Sequence, residues 1–172
     1  VTENGGGVFI NGGSPTFENL LVYNNTAQSG GGIYNNGGSA TFNGLTINGN
    51  DAGGQGDGIY IASGQANCIN SILWNGVENN IALGSGTADI TYSDIQGDWE
   101  GLGNISLYPQ FCDAADVDFH ITDTSPCIGA GLNGENMGAL GIGCTLPTYL
   151  FINEIMNNPS AVSDTDGEWI EL

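Results

Sequence analysis

The residues able to do chemistry in this chain are a single histidine, four cysteines, three tryptophans and 19 carboxylates, with no lysine or arginine beside them. Asp94, Asp98 and Glu100 fall within one short run, Asp94-Ile95-Gln96-Gly97-Asp98-Trp99-Glu100-Gly101. Two of them could act as acid and base on a glycosidic bond, a reaction that needs a pair of facing carboxyls. A loop packed over a core accounts for the same residues. His120, in Asp118-Phe119-His120-Ile121, has no basic neighbour in sequence to hold an anionic substrate. A lyase that removes a proton beside a carboxylate uses an Arg or Lys base with cations to hold the polyanion. Neither base exists here. Trp74 and Trp99 offer flat faces that stack on sugar rings, or that seal a core.

Metal chemistry is equally sparse. Asp164-Thr165-Asp166-Gly167-Glu168 alternates oxygens as a calcium loop does at its start, but the later ligands are missing. An Asp-Gly hairpin turn explains the residues as well. Cys68, Cys112, Cys127 and Cys144 contain no CxxC pair, so zinc is not expected. One disulfide with two inert buried thiols, or four free thiols, both fit their spacing. Acceptor sequons at Asn24-Asn25-Thr26 and Asn104-Ile105-Ser106 are expected by chance in a chain so rich in Asn. The expectation is a protein that is no enzyme, with no catalytic, cofactor-binding or metal-ligating residue. Calcium is the only cofactor left open.

The net charge of −19 constrains partners further. Nucleic acid, anionic lipid and polyuronates all need Lys or Arg to neutralise them, which leaves metal cations and a basic partner. No stretch is apolar and long enough to span a membrane as a helix. Thirty glycines accompany a hydrophobic content of 40%. That combination implies an ordered fold with many tight turns rather than a solvated tail.

Those turns and apolar residues recur in register. Gly5-Gly6-Gly7-Val8-Phe9-Ile10-Asn11-Gly12-Gly13-Ser14-Pro15-Thr16-Phe17 returns 25 residues later as Gly30-Gly31-Gly32-Ile33-Tyr34-Asn35-Asn36-Gly37-Gly38-Ser39-Ala40-Thr41-Phe42. Gly58-Ile59-Tyr60-Ile61-Ala62-Ser63-Gly64 follows at an offset of 26, and Ala88 to Ile95 repeats Ala66 to Leu73 at an offset of 22. Within copies the apolar positions alternate with one slip (Phe17, Leu20, Val22; Phe42, Leu45, Ile47; Cys68, Ser71, Leu73; Ile90, Ser93, Ile95), as short strands joined by bends require. Strands this short bury a face only by stacking on equivalent strands of the next coil. The offsets predict an inward column Val8–Ile33–Ile59, an outward aromatic stack Phe9–Tyr34–Tyr60, and an asparagine ladder of Asn25, Asn50 and Asn75 at a corner. Glycine throughout every window argues against helices.

The blocks GGGIYNNGGSATFNGLTINGN, NSILWNG, YSDIQGDWEGLGNI, PQFCDAADVDFHI and SPCIGAG, in this order, resemble the bacterial right-handed parallel β-helix repeat proteins of the polymorphic outer-membrane and choice-of-anchor type. The resemblance covers residues 1 to about 145 and implies a secreted or surface-anchored protein of this architecture, in a family many of whose members have no known enzymatic activity. Leu150-Phe151-Ile152-Asn153-Glu154-Ile155-Met156-Asn157-Asn158-Pro159 and Asp164 to Leu172 resemble the opening of a lamin-tail domain, an immunoglobulin-like sandwich.

The expected architecture is therefore all-β. A right-handed parallel β-helix of about five coils occupies 1–145, irregular as a cap from about 104, and 146–172 supplies the opening strands of a truncated lamin-tail-like module. Because a repeat is already under way at its first residues, the sequence reads as a fragment. The expected function is an extracellular or cell-surface structural or adhesive one, with other copies of itself or surface polysaccharide as partners. Strand addition between copies would build a filament. The alternative is a module that binds or cleaves polysaccharide.

Overall fold

An offset of 25 residues is one circuit of the chain, and the strands show why. The computed structural model describes residues 3–76 and 79–145, with the backbone of two further strands at 154–156 and 169–171. The first circuit contains β1 (Val8–Asn11), β2 (Thr16–Glu18), β3 (Leu21–Tyr23) and β4 (Thr26–Ala27). The second contains β5 (Ile33–Asn43), β6 (Thr46–Asn48) and β7 (Asp51–Ala52), and the third β8 (Ile59–Ile69) and β9 (Ile72–Trp74). The fourth contains β10 (Ile81–Leu83), β11 (Thr87–Thr91) and β12 (Asp94–Ile95). Each strand pairs in parallel with its counterpart one circuit on: Val8 with Ile33, Ile33 with Ile59, Ile59 with Ile81. The result is an all-β solenoid of about five turns.

One face of every strand fills the interior. Phe42, Leu45, Ile47, Ile59, Ile61, Leu73, Ile90 and Ile95 are buried there, with Val8, Phe17 and Leu20 of the first circuit half-buried against them. Phe17 and Phe42 stack with ring centroids 5.1 Å apart. On the outside Phe9, Tyr34 and Tyr60 form the expected ladder, each neighbouring pair 5.3 Å apart. The asparagine ladder is also present: Asn25 Nδ2 donates to Asn50 Oδ1 and Asn50 Nδ2 to Asn75 Oδ1, both at 3.0 Å. Such a ladder satisfies the corner's polar groups from coil to coil without water.

Corners need a backbone that only some residues adopt at low cost. Asn19, Gly44, Asn70 and Tyr92 stand at one such corner with φ of 52°, 70°, 52° and 48°. Gly and Asn are the residues that tolerate this region, so their recurrence is a record of the bend. Asn35 is one of the interior's polar residues, with Ser71 and Ser93. It sits between Ile10 and Ile61 in the inner column and is wholly buried. Its amide donates to the carbonyls of Gly38 and Gln65 and accepts the Gly38 N–H, so no polar atom is stranded.

Beyond the fourth circuit the chain turns across the end of the coil. Trp99 packs on the interior cluster, while Ile105 bridges in parallel to Asp94. Residues 105–144 then fold back along the outer face of β3, β6, β9 and β12. This cover has its own sheet of β13 (Phe111–Asp113), β14 (Asp118–Thr122) and β15 (Ile142–Cys144), and a single short 3₁₀ turn at Leu132–Gly134. Phe111, Phe119, Ile121, Cys127 and Met137 bury themselves against Ile72, with Leu21 and Trp74 at the margin. In the tail, β16 (Glu154–Met156) and β17 (Trp169–Glu171) pair antiparallel. The remaining residues of the expected lamin-tail-like module lie outside those described.

Candidate functional site

The pleat separates the three carboxylates that the sequence placed side by side. Asp94 belongs to the last solenoid strand, not to a loop, and occupies the outward row Leu21–Thr46–Ile72–Asp94. There it is covered by 105–144 and has no exposed surface. The Leu107 N–H donates to its Oδ1 at 3.1 Å and the Cys127 thiol to its Oδ2 at 3.2 Å. Both donors come from the cover. Burial pushes the Asp94 carboxyl up to about 6, against the pull of those two hydrogen bonds. Burial, and the nearby Asp94 charge, push the Cys127 thiol up as well. A carboxyl enclosed this way has no route to a substrate. Asp98 and Glu100 stay at the surface and border a hollow of about 180 Å³ with Trp99, Asn104, Ile105 and Ser106. Asp94 is not among its lining residues.

His120 lies on the cover, half-exposed, with Nδ1 2.7 Å from Asp118 Oδ1. The histidine beside it holds the Asp118 carboxyl below the usual range. Neither residue is among those lining the two hollows beside Asp98. Trp99 seals the end of the coil, whereas Trp74 packs at the margin of the cover and meets the Tyr108 ring edge-on, 6.0 Å between centroids. Tyr108 is 59% exposed.

The sequon asparagine Asn104 is committed to the fold: it accepts the Ser93 N–H and donates to the carbonyls of Ile90 and Trp99. Asn24 is exposed in a turn. Among the described residues, no group of three or more His, Cys, Asp or Glu is arranged to hold a metal ion. The calcium candidate at 164–168 falls outside the described residues.

Of the two cysteine arrangements open at the sequence level, the structure has the first. Cys112 of β13 and Cys144 of β15 form a disulfide, and Cys68 and Cys127 are buried free thiols. Cys68 stands inside the solenoid, where burial and the nearby Asp89 charge push its thiol up to about 12. It is inert packing.

Fold and surface together define a β-solenoid repeat protein. The chain matches no protein-family model, no curated protein and no solved structure. No helix among the described residues is long and apolar enough to cross a membrane.

Proposed function

We propose that this chain is an extracellular or cell-surface structural protein, a right-handed coil, as parallel crossovers nearly always are, that acts as scaffold or adhesive rather than catalyst. The observation that carries the reading is the Cys112–Cys144 disulfide clasping the cover of a repetitive coil. Disulfides persist in secreted and surface proteins and are rare where thiols are kept reduced. Self-assembly is part of the proposal. Among the described residues β1, β2, β3 and β4 each pair on one side only. A strand edge takes up a strand of another copy wherever nothing else pairs with it, and contacts that do not close on themselves propagate a filament. Light scattering on the purified chain should give a mass above the monomer that rises with concentration. Phe9→Lys, which replaces a 52% exposed ring on that edge with a charge, should return it to monomer. A chain that stays monomeric at every concentration would refute self-assembly.

Polysaccharide binding is the second reading, favoured by one feature: the exposed Tyr108 ring against Trp74. Its ligand would be a neutral glycan, since the chain's charge repels polyuronates.

Cations should matter to either role. With 19 carboxylates and no Lys or Arg, self-repulsion works against the compact state at low ionic strength. Raising NaCl from about 10 to 150 mM is expected to lift Tm by a few degrees, because the Debye length falls from about 30 to 8 Å. Millimolar calcium should do more if the chain holds a specific site. A Tm indifferent to both ions would remove cations from the account.

A further inference from the structure

The solenoid and its cover are built differently. Coils share continuous ladders, so no coil can leave without breaking its neighbours' hydrogen bonds. The sheet β13–β14–β15 shares no ladder with them, and its apolar cluster is distinct from the interior one. It is hinged on the coil at Ile105, whose backbone bonds Ser93 and Ile95. Beyond that it meets the coil through apolar packing on Ile72 and a few polar contacts, including the Gly138 N–H to the Asn70 carbonyl at 2.7 Å. The Ala139 N–H donates to Thr46 Oγ1 at 2.8 Å and the Leu132 N–H to Asn70 Oδ1 at 2.7 Å. Asn70 Nδ2 donates to Glu135 Oε2 at 2.6 Å, and Asp94 holds Leu107 and Cys127 as described. Segments with their own small cluster and few ties open as separate units. The disulfide joins two strands of the cover 32 residues apart, and Cys127 lies between them in sequence.

We propose that residues 106–144 are a redox-clasped flap hinged at Ile105: breaking Cys112–Cys144 lets it lift from the outer face of the solenoid, uncovering Leu21, Ile72 and Trp74, while the coil stays folded. The reductant is a dithiol. Its two thiols give two electrons and two protons to the S–S bond, leaving two cysteine thiols and a cyclic disulfide of the reductant. Both bridge cysteines are partly exposed, which gives a small dithiol access. Losing a cross-link around a loop of this length returns chain freedom to the open state.

The two buried thiols report on the two units separately. Cys127 lies on the flap's buried side and Cys68 inside the coil, both at 2% exposure or less. The intact chain would be treated with iodoacetamide, with and without prior dithiothreitol, and each cysteine quantified by mass spectrometry. In the oxidised protein neither thiol should react appreciably. After reduction Cys127 should react on the order of a hundredfold faster, in step with Cys112 and Cys144, while Cys68 stays protected. The double variant Cys112→Ser/Cys144→Ser should behave as the reduced protein without dithiothreitol. Cys127 still protected in that variant would overturn the flap, and Cys68 reacting together with Cys127 would overturn its independence from the coil.

Discussion

Phe42→Ala is expected to lower the free energy of unfolding by about 3–5 kcal/mol, as emptying a large core side chain does. Tyr34→Ser, the neighbouring aromatic on the opposite face, should cost about 1 kcal/mol, the worth of an aromatic contact at the surface. Phe42 is 1% exposed, stacked on Phe17 and seated in register above Cys68. The space it leaves cannot close easily, because each coil is held at the strand spacing by hydrogen bonds to the coils on both sides. Cavity terms are largest where the surroundings cannot relax. Tyr34 is only partly covered by Phe9 and Tyr60, and the backbone beneath it is unaffected. Urea melts of the two variants followed by circular dichroism decide the matter. Equal costs, or a larger cost for Tyr34→Ser, would mean that the inner and outer faces are interchanged.

That face assignment was legible in the sequence because a solenoid writes its register as an offset. The offset of 25 sets Val8 beside Ile33 and Phe17 beside Phe42, and the shorter one of 22 sets Ala88 beside Ala66 and Ile90 beside Cys68. Identical residues at one corner also show directly, since an amide ladder works only with amides in successive coils: hence Asn25, Asn50 and Asn75. Asn35 was illegible for the opposite reason. It interrupts an apolar column, and nothing local indicates that Gly38 and Gln65 present the groups that satisfy it.

The candidate site was far less legible. Asp94 reads as one of three clustered acids because sequence distance is blind to the pleat and to the end of a strand. Its thiol partner is 33 residues away, across an aperiodic segment. The disulfide pairing likewise depends on β13 and β15 flanking β14, which no spacing specifies. One signal was present. Leu21, Ile72 and Trp74 are apolar at positions that the alternation turns outward, and an apolar outer row implies that something covers it.

Lowering the pH from 7 to about 4 is expected to stabilise the chain, which is the reverse of ordinary acid denaturation, and Asp94→Asn should remove most of that gain. The Asp94 carboxyl moves from about 4 in the unfolded chain to about 6 under the cover. The folded state therefore holds the proton more tightly. The favourable contribution is complete below about pH 4 and is lost as pH rises through about 6, which makes the buried charge cost roughly 3 kcal/mol at neutral pH. The thiol that faces it, Cys127, stays protonated throughout because its own titration is displaced upward. Asp118 has the opposite sign, being held below its usual range by His120, so its contribution is lost only at pH below about 4 and does not offset the gain. Protonation of surface carboxylates also relieves self-repulsion and adds to the rise in both proteins. The informative quantity is therefore the difference between them. Asparagine keeps an oxygen for the Leu107 N–H and carries no charge, so Asp94→Asn should be about 1–3 kcal/mol more stable than the parent at pH 7. Near pH 4 the two should match. Denaturant melts at intervals of half a pH unit would trace the difference. A difference that stays constant from pH 4 to 7 would show that the carboxyl does not titrate near 6, and that water reaches it beneath the cover.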